Sequence, residues 1–290
     1  MSASTVLPLG VVLMLALIAT TFHRRLPPRI ATRTLLTTIS VVIAAALPTV
    51  WLVSLGFVTH VPLLGQGFAW CTDPFGTRHR VPVWAGATAL LVSAIGAVRA
   101  FGVLRVHRLL RHDRFGGVEI VAHDEAFAYT LPGAGGRVVL SDSLVGLLDP
   151  REYAVVVAHE SAHARHRHDR VLLVARLGEA MVPAIRPLSN RLRFSLERWA
   201  DDAAARQCGD RPFVARTLAK VALHGSSPSE LLGFTGLGVN ARVAALLAPA
   251  RGAPRRAALA LIWVAIALSG ALAVLQLHHL SELLAGFCPG

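Results

Sequence analysis

The sequence predicts a mainly α-helical membrane protein, with four transmembrane helices and one α+β domain inserted between the third and the fourth. Three observations carry this expectation. Of 290 residues, 54% are hydrophobic and 16% charged, and a mean hydropathy of +0.55 is too high for a chain that meets water over its whole surface. The apolar residues gather into four stretches that each approach the roughly 20 residues needed to cross a hydrocarbon core. Between the last two lies residues 105–256, patterned like an ordinary soluble domain.

The four stretches are residues 5–22, 35–58, 81–104 and 257–277. None has the interleaved polar face of a surface helix. Pro48, inside the second, is expected to kink it. The opening "MSASTVLPLG" carries no positive charge ahead of its apolar run, so the first stretch reads as an anchor with its N-terminus outside rather than a cleaved signal. The connector that follows holds Arg24, Arg25, Arg29 and Arg33, whereas the next, 59–80, holds only Arg78 and Arg80 together with Asp73. The positive-inside rule therefore makes the first connector cytoplasmic and the second external. Arg105, Arg108, Arg111 and Arg114 after the third stretch, and Arg251, Arg255 and Arg256 before the fourth, agree.

The expected units are a three-span membrane region (1–104), a cytoplasmic domain (105–256), and a fourth span with a short external tail (257–290). A multi-pass protein of the plasma membrane, in contact with lipid and with both termini outside, is the expected location. This topology sorts the cysteines. Cys71 and Cys288 share the oxidising face, where a disulfide between them is expected, and Cys208 lies on the reducing side, where it reads as a small apolar core residue. The formal charge of +12 comes almost wholly from arginine, Lys220 being the only lysine. No aromatic–basic face accompanies it, so direct binding of nucleic acid is not expected.

Within the domain, residues 118–141 alternate short β-branched runs with "HDE" and "PGAGG", predicting a strand, a second strand, a Gly-rich turn and a third strand. "DPREYAVVVAHESAHA" then opens a helix, with Asp149 as N-cap, Pro150 at the first helical position and Glu152 three residues after the cap. On that helix stand His159, Glu160 and His163 in the order His-Glu-x-x-His. Histidines four apart share one face and can hold one ion, while the glutamate, about 100° round, reaches a water bound to it.

A catalytic zinc site takes a third protein ligand and leaves a fourth position for water. Downstream, "RFSLERWADDAAARQCG" has helix-forming composition and places Glu197 and Asp201 four apart. Glu197 can complete a site for one zinc ion per chain, and Asp201 can accept the second ring N–H of a ligand histidine. The alternative for this pair is a solvated acidic helix face. Asp202 points elsewhere. His166 and His168 are expected in a solvated, Arg-rich turn, with Asp169 capping a helix or pairing with Arg167. His123 and His224 have no constellation around them.

"SDSLVGLLDPREYAVVVAHESAHARHRHD" followed by "LERWADDAA" resembles the BlaR/MecR-type antirepressor metallopeptidases, relatives of the HtpX-type and CAAX prenyl zinc proteases. The resemblance implies a zincin-like domain of the gluzincin type in which His159, His163 and Glu197 hold zinc, Glu160 is the general base and Asp201 supports a ligand. It also implies that the strand before the motif helix, "GRVVLS", pairs with an extended protein or peptide substrate. The β-lactam sensors of this family carry an external penicillin-binding domain after the last span; here only "HHLSELLAGFCPG" follows, so that domain is not expected. Arg198, His168 and Tyr129 are candidate donors to the oxyanion. The expected activity is that of an integral-membrane zinc endopeptidase. The alternatives are a signal transducer that cleaves a cytoplasmic DNA-binding repressor and an inert metal-binding membrane scaffold.

Overall fold

The computed structural model describes residues 21, 23–58, 82–111, 116–133, 135–224 and 238–248, and within the last apolar stretch 260, 263, 264, 266–271, 274 and 275. The expected first span, all but Thr21, lies outside these residues, as do Cys71 and Cys288. The described residues of the expected fourth span are helical where assigned.

The second and third apolar stretches form helices α1 (Pro28–Val58) and α2 (Val83–Leu110). Each is longer than its apolar stretch. α1 starts at Pro28, where the fixed φ and missing N–H of proline suit a first helical turn, and it continues through Pro48. Both are long and apolar enough to cross a membrane, but they differ in cover: half of the apolar window of α1 is buried, against 6% for α2. α2 leaves Trp84, Leu91, Val98 and Phe101 exposed, and at 28 residues it is about 42 Å long.

Three short strands follow as expected: β1 (Gly117–Val121), β2 (Ala128–Leu131) and β3 (Arg137–Ser141). Their order in the sheet is β1-β3-β2, with β3 parallel to β1 and antiparallel to β2. Both edges of β3 are therefore occupied, which corrects the expectation that "GRVVLS" pairs with substrate. The Gly-rich turn before β3 packs against the motif helix. Gly136 has φ +62°, and a Cβ there would overlap the side chain of Ala164, so glycine serves both conformation and clearance.

Five helices complete the described domain after the short α3 (Asp142–Leu147): α4 (Pro150–Arg165), α5 (His168–Met181), α6 (Arg186–Cys208), α7 (Arg211–His224) and α8 (Val239–Leu247). α4 begins where its sequence dictates. Asp149 accepts hydrogen bonds from the N–H groups of Arg151 and Glu152, and the Glu152 carboxylate accepts one from the N–H of Asp149, satisfying donors that a helix start otherwise leaves orphaned.

α4 is clamped on two sides. Val156 joins Val138, Leu140 and Leu144 over the sheet, and Val155 and Ala158 join Ala204, Val214, Ala215 and Leu246 from α6, α7 and α8. A third cluster unites Leu35, Ile39, Val42 and Ala45 of α1 with Leu172 and Ala175 of α5 and Leu188, Leu192 and Leu196 of α6. The apolar face of α1 thus shares a core with the helices behind the motif.

Candidate metal centre

The centre is built where α4 crosses α6. His159 and His163, one turn apart on α4, face Glu197 on α6. The two Nε2 atoms are 3.2 Å apart. Glu197 Oε2 lies 3.5 Å from His159 Nε2, and Oε1 lies 3.5 Å from His163 Nε2. Donors held about 2.1 Å from one tetrahedral ion stand about 3.4 Å from one another. The two nitrogens and the carboxylate oxygens that face them stand at that spacing, so the residues present fit a zinc ion.

Asp201, one turn along α6 from Glu197, receives the other ring nitrogen of His159 at 3.1 Å. Both carboxylates are buried, and the group that permits this is Arg242 of α8, itself 5% exposed. Its Nε and Nη2 donate to the two oxygens of Asp201 at 2.8 and 2.7 Å, and its Nη1 lies 2.9 Å from Glu197 Oε2. Arg211 caps α8 from behind, donating to the carbonyls of Leu246 and Ala245. Such a planar fork suits two carboxylates better than a point charge would.

These charges set the protonation of the site. Burial pushes His159 toward its neutral form, but Asp201 and Glu197 outweigh it and drive the imidazole up to about 10. Burial holds His163 below its ordinary value. Glu197 is raised by burial and lowered by more through Arg242, His163 and His159, so it stays ionised well below the usual carboxylate range. Asp201 follows the same balance, Arg242 and His159 overcoming burial.

Glu160 stands beside the ligand triangle, its Oε2 2.8 Å from the hydroxyl of Thr130 on β2. The same hydroxyl lies 2.9 Å from the Glu160 carbonyl, and its single proton goes to one acceptor at a time. Thr130→Val keeps the shape and removes this tether. It is expected to lower the cleavage rate about tenfold, the scale of one hydrogen bond to a charged group, while metal content stays at the wild-type level; unchanged cleavage would remove Thr130 from the machinery.

Beside the centre opens a cavity of about 230 Å³, whose walls include Leu172, Val214, Val221 and, from α2, His107 and Leu110. Residues 126–131, which include all of β2, border it consecutively, so a strand edge and not only alternate side chains faces the cavity.

Other expectations resolve as follows. Asp202 pairs with Arg211, away from the centre. His123 orders a turn before β2, and His224 is exposed at the end of α7. Asp169 sits in the first turn of α5, which has no side-chain cap. Cys208 is a half-buried free thiol against the second core cluster. Arg198 lies over Phe194, and Tyr129, next to Thr130, points to the opposite face of its strand.

The solvated turn expected for His166 and His168 is not what forms. Arg167, with φ 52°, breaks the chain's helical course for one residue. α5 therefore restarts with His168 folded beneath His163. His168 is 1% exposed, and His166 stacks on Trp199 at 4.6 Å. His168 thus contacts the rear of His163.

Sequence reasoning missed Thr130, Arg242 and the placement of His168. Arg242 left a signal: it is the single charge in "VNARVAALL", an otherwise apolar helix, and such a charge is buried only with a partner.

Residues 110–182 match Peptidase family M48. The M48 match spans the three strands, α4 with its motif and α5, and ends before Glu197, Asp201 and Arg242. A Protease HtpX homolog of Thermoplasma acidophilum is 44% identical over 48 residues, 17% of this chain and 15% of that protein. Another, from Thermoplasma volcanium, is 38% identical over 55 residues, 19% of this chain and 18% of that protein. The chain thus spans less than a fifth of the length of the curated relatives it matches. No solved structure gives a significant match. The M48 match thus covers His159, Glu160 and His163, and the His-His-Glu cluster takes its third member from beyond it.

Proposed function

We propose that this chain is an integral-membrane zinc endopeptidase of the His-Glu-x-x-His type. The observation that carries the reading is the ligand triangle of His159, His163 and Glu197, sized for one zinc ion, with the Glu160 carboxylate beside it. Zinc, when bound, supplies polarisation of the scissile carbonyl and a bound water of lowered pKa. Glu160 takes the proton of the attacking water and delivers it to the leaving amine. Asp201 holds the His159 ring with its Nε2 toward the ion, and Arg242 holds Asp201 and Glu197 in register. An extended protein or peptide substrate adds to the cavity-facing edge of β2, which pairs with no strand among the described residues.

The membrane topology belongs to the same proposal: four spans, both termini outside, the peptidase domain cytoplasmic, and Cys71 bonded to Cys288. The length and exposed apolar face of α2 support the third of these spans. Labelling of single introduced cysteines in sealed vesicles tests the sidedness, and reagent reaching residues 105–256 from outside would reverse it.

A second reading makes proteolysis the output of a signal, with a cytoplasmic repressor as target, in the manner of the BlaR/MecR-type proteins. It is favoured by the core that α1 shares with α5 and α6, through which displacement of a membrane helix would reach the metal helix.

Metal analysis of detergent-purified chain tests the central claim; about one zinc per chain is expected, and none would sink it. Uptake has a pH signature. Without a metal, Asp201 and Glu197 hold a proton on His159 up to about pH 10, and zinc takes only the neutral ring. Zinc entry at pH 7 is therefore expected to release about one proton, and affinity to rise about tenfold per pH unit from 7 to 9. Calorimetry in buffers of different ionisation heat reads this directly; pH-independent uptake would contradict the charge balance.

A further inference from the structure

His168 is buried, yet only one of its ring nitrogens is satisfied. Its Nδ1 lies 3.0 Å from Nδ1 of His163, while its Nε2 has no hydrogen-bond partner. His163 turns its own Nε2 toward Glu197 and His159. To offer that atom's lone pair to a cation, the His163 ring must carry its proton on Nδ1, where it can only donate to His168. The His168 Nδ1 must then accept, and its proton resides on Nε2, the nitrogen without a partner. The two rings are thereby locked into one combination of tautomers.

The surroundings hold that arrangement. The His168 ring meets His163 edge-on at 4.8 Å and lies 5.0 Å from the ring of Trp199. Trp199 is covered in turn by the guanidinium of Arg29 from α1, 5.7 Å from the ring centre. The left-handed Arg167, a conformation that a residue with a Cβ adopts only at a backbone cost, puts the ring in place.

The acceptor behind a ligand histidine is commonly a carboxylate or a carbonyl. A neutral imidazole suits this centre by charge. Glu160, Glu197 and Asp201 contribute three negative charges, and Arg242 with a zinc dication contributes three positive ones. A carboxylate at position 168 would leave one buried negative charge uncompensated.

We propose that His168 is the positioning residue of this centre, holding His163 as the Nε2-ligating tautomer by accepting the hydrogen bond from its Nδ1. The proposal rests on the zinc reading above. It differs from packing alone, because packing asks for apolar volume and positioning asks for an acceptor.

Two variants of the full detergent-purified chain separate these roles. His168→Leu fills the space without an acceptor; His168→Asn is smaller but keeps an oxygen near the Nδ1 position. Zinc affinity is measured by competition with a chromophoric chelator, the ligand field from the absorption of the cobalt-loaded protein, and folding from the melting of the metal-free protein. Expected is a loss of zinc affinity of about 10- to 100-fold in His168→Leu, the scale for losing such a partner, with an altered cobalt spectrum, and wild-type affinity and spectrum in His168→Asn. Wild-type affinity in His168→Leu, or an equal loss in both variants, overturns the role. Should His168→Leu not fold, His168→Asn decides alone: wild-type affinity supports the proposal, and a loss of about tenfold or more overturns it. A wild-type chain that binds no zinc would sink the metal reading and this role with it, whereas a zinc-binding wild type matched by His168→Leu removes only the role of His168.

Discussion

Glu160→Gln is expected to keep one zinc per chain and to lower cleavage by about 10²- to 10⁴-fold, the usual contribution of a positioned acid–base group. The amide has the shape of the carboxylate and can still meet the hydroxyl of Thr130, which lies 2.8 Å from Oε2 in the native chain. What it cannot do is accept the water's proton. Glu160 is also absent from the ligand triangle formed by His159, His163 and Glu197, so affinity for the ion should not move. Single-turnover cleavage of a denatured test protein, run beside metal analysis, gives both readings. Undiminished cleavage would remove Glu160 as the base, and loss of zinc together with activity would mean that the carboxylate is a ligand instead.

Arg242→Met should have the largest effect on stability. The single positive charge of the side chain contacts two buried carboxylates at once, at 2.7 to 2.9 Å. Methionine keeps much of the volume and leaves the buried Glu197 and Asp201 with only the His159 imidazolium to offset them. Removing one partner of a buried ion pair costs about 3–5 kcal/mol, and that loss should appear in metal-free protein by denaturant unfolding. Zinc restores positive charge beside the same oxygens, so saturating metal should recover part of it. Arg242→Lys tests the geometry: one ammonium cannot reproduce three directed contacts and should fall between. Equal stability of Arg242→Met and wild type without metal would show that the pair is not held as described.

Local signals in the chain were enough for much of this centre. The start of α4 could be read because a capping box is complete within four residues. The relation of His159 to His163, and of Glu197 to Asp201, could be read because each is one helical turn. The three strands were legible as runs, but their order was not. Placing β3 between β1 and β2 depends on pairing among segments that carry no local mark of their neighbour, and an expected substrate-binding strand proved to be the central one.

Arg242 and Thr130 come from elements whose own patterns concern packing, and only the assembled fold brings them to α4. His168 was misread for a different reason. A run of histidines and arginines looks solvated by composition, and the one unusual backbone angle at Arg167 turns the last of those rings inward.

The core shared by α1, α5 and α6 bears on whether the domain can exist as a detached body. A fragment starting at residue 105 would bare Leu172, Leu188, Leu192 and Leu196, which α1 helps to cover, and each such side chain contributes roughly 1.5–3 kcal/mol through its burial. The helix is therefore part of the domain's foundation rather than a mooring line: separated from it, the rest would sooner clump than dissolve.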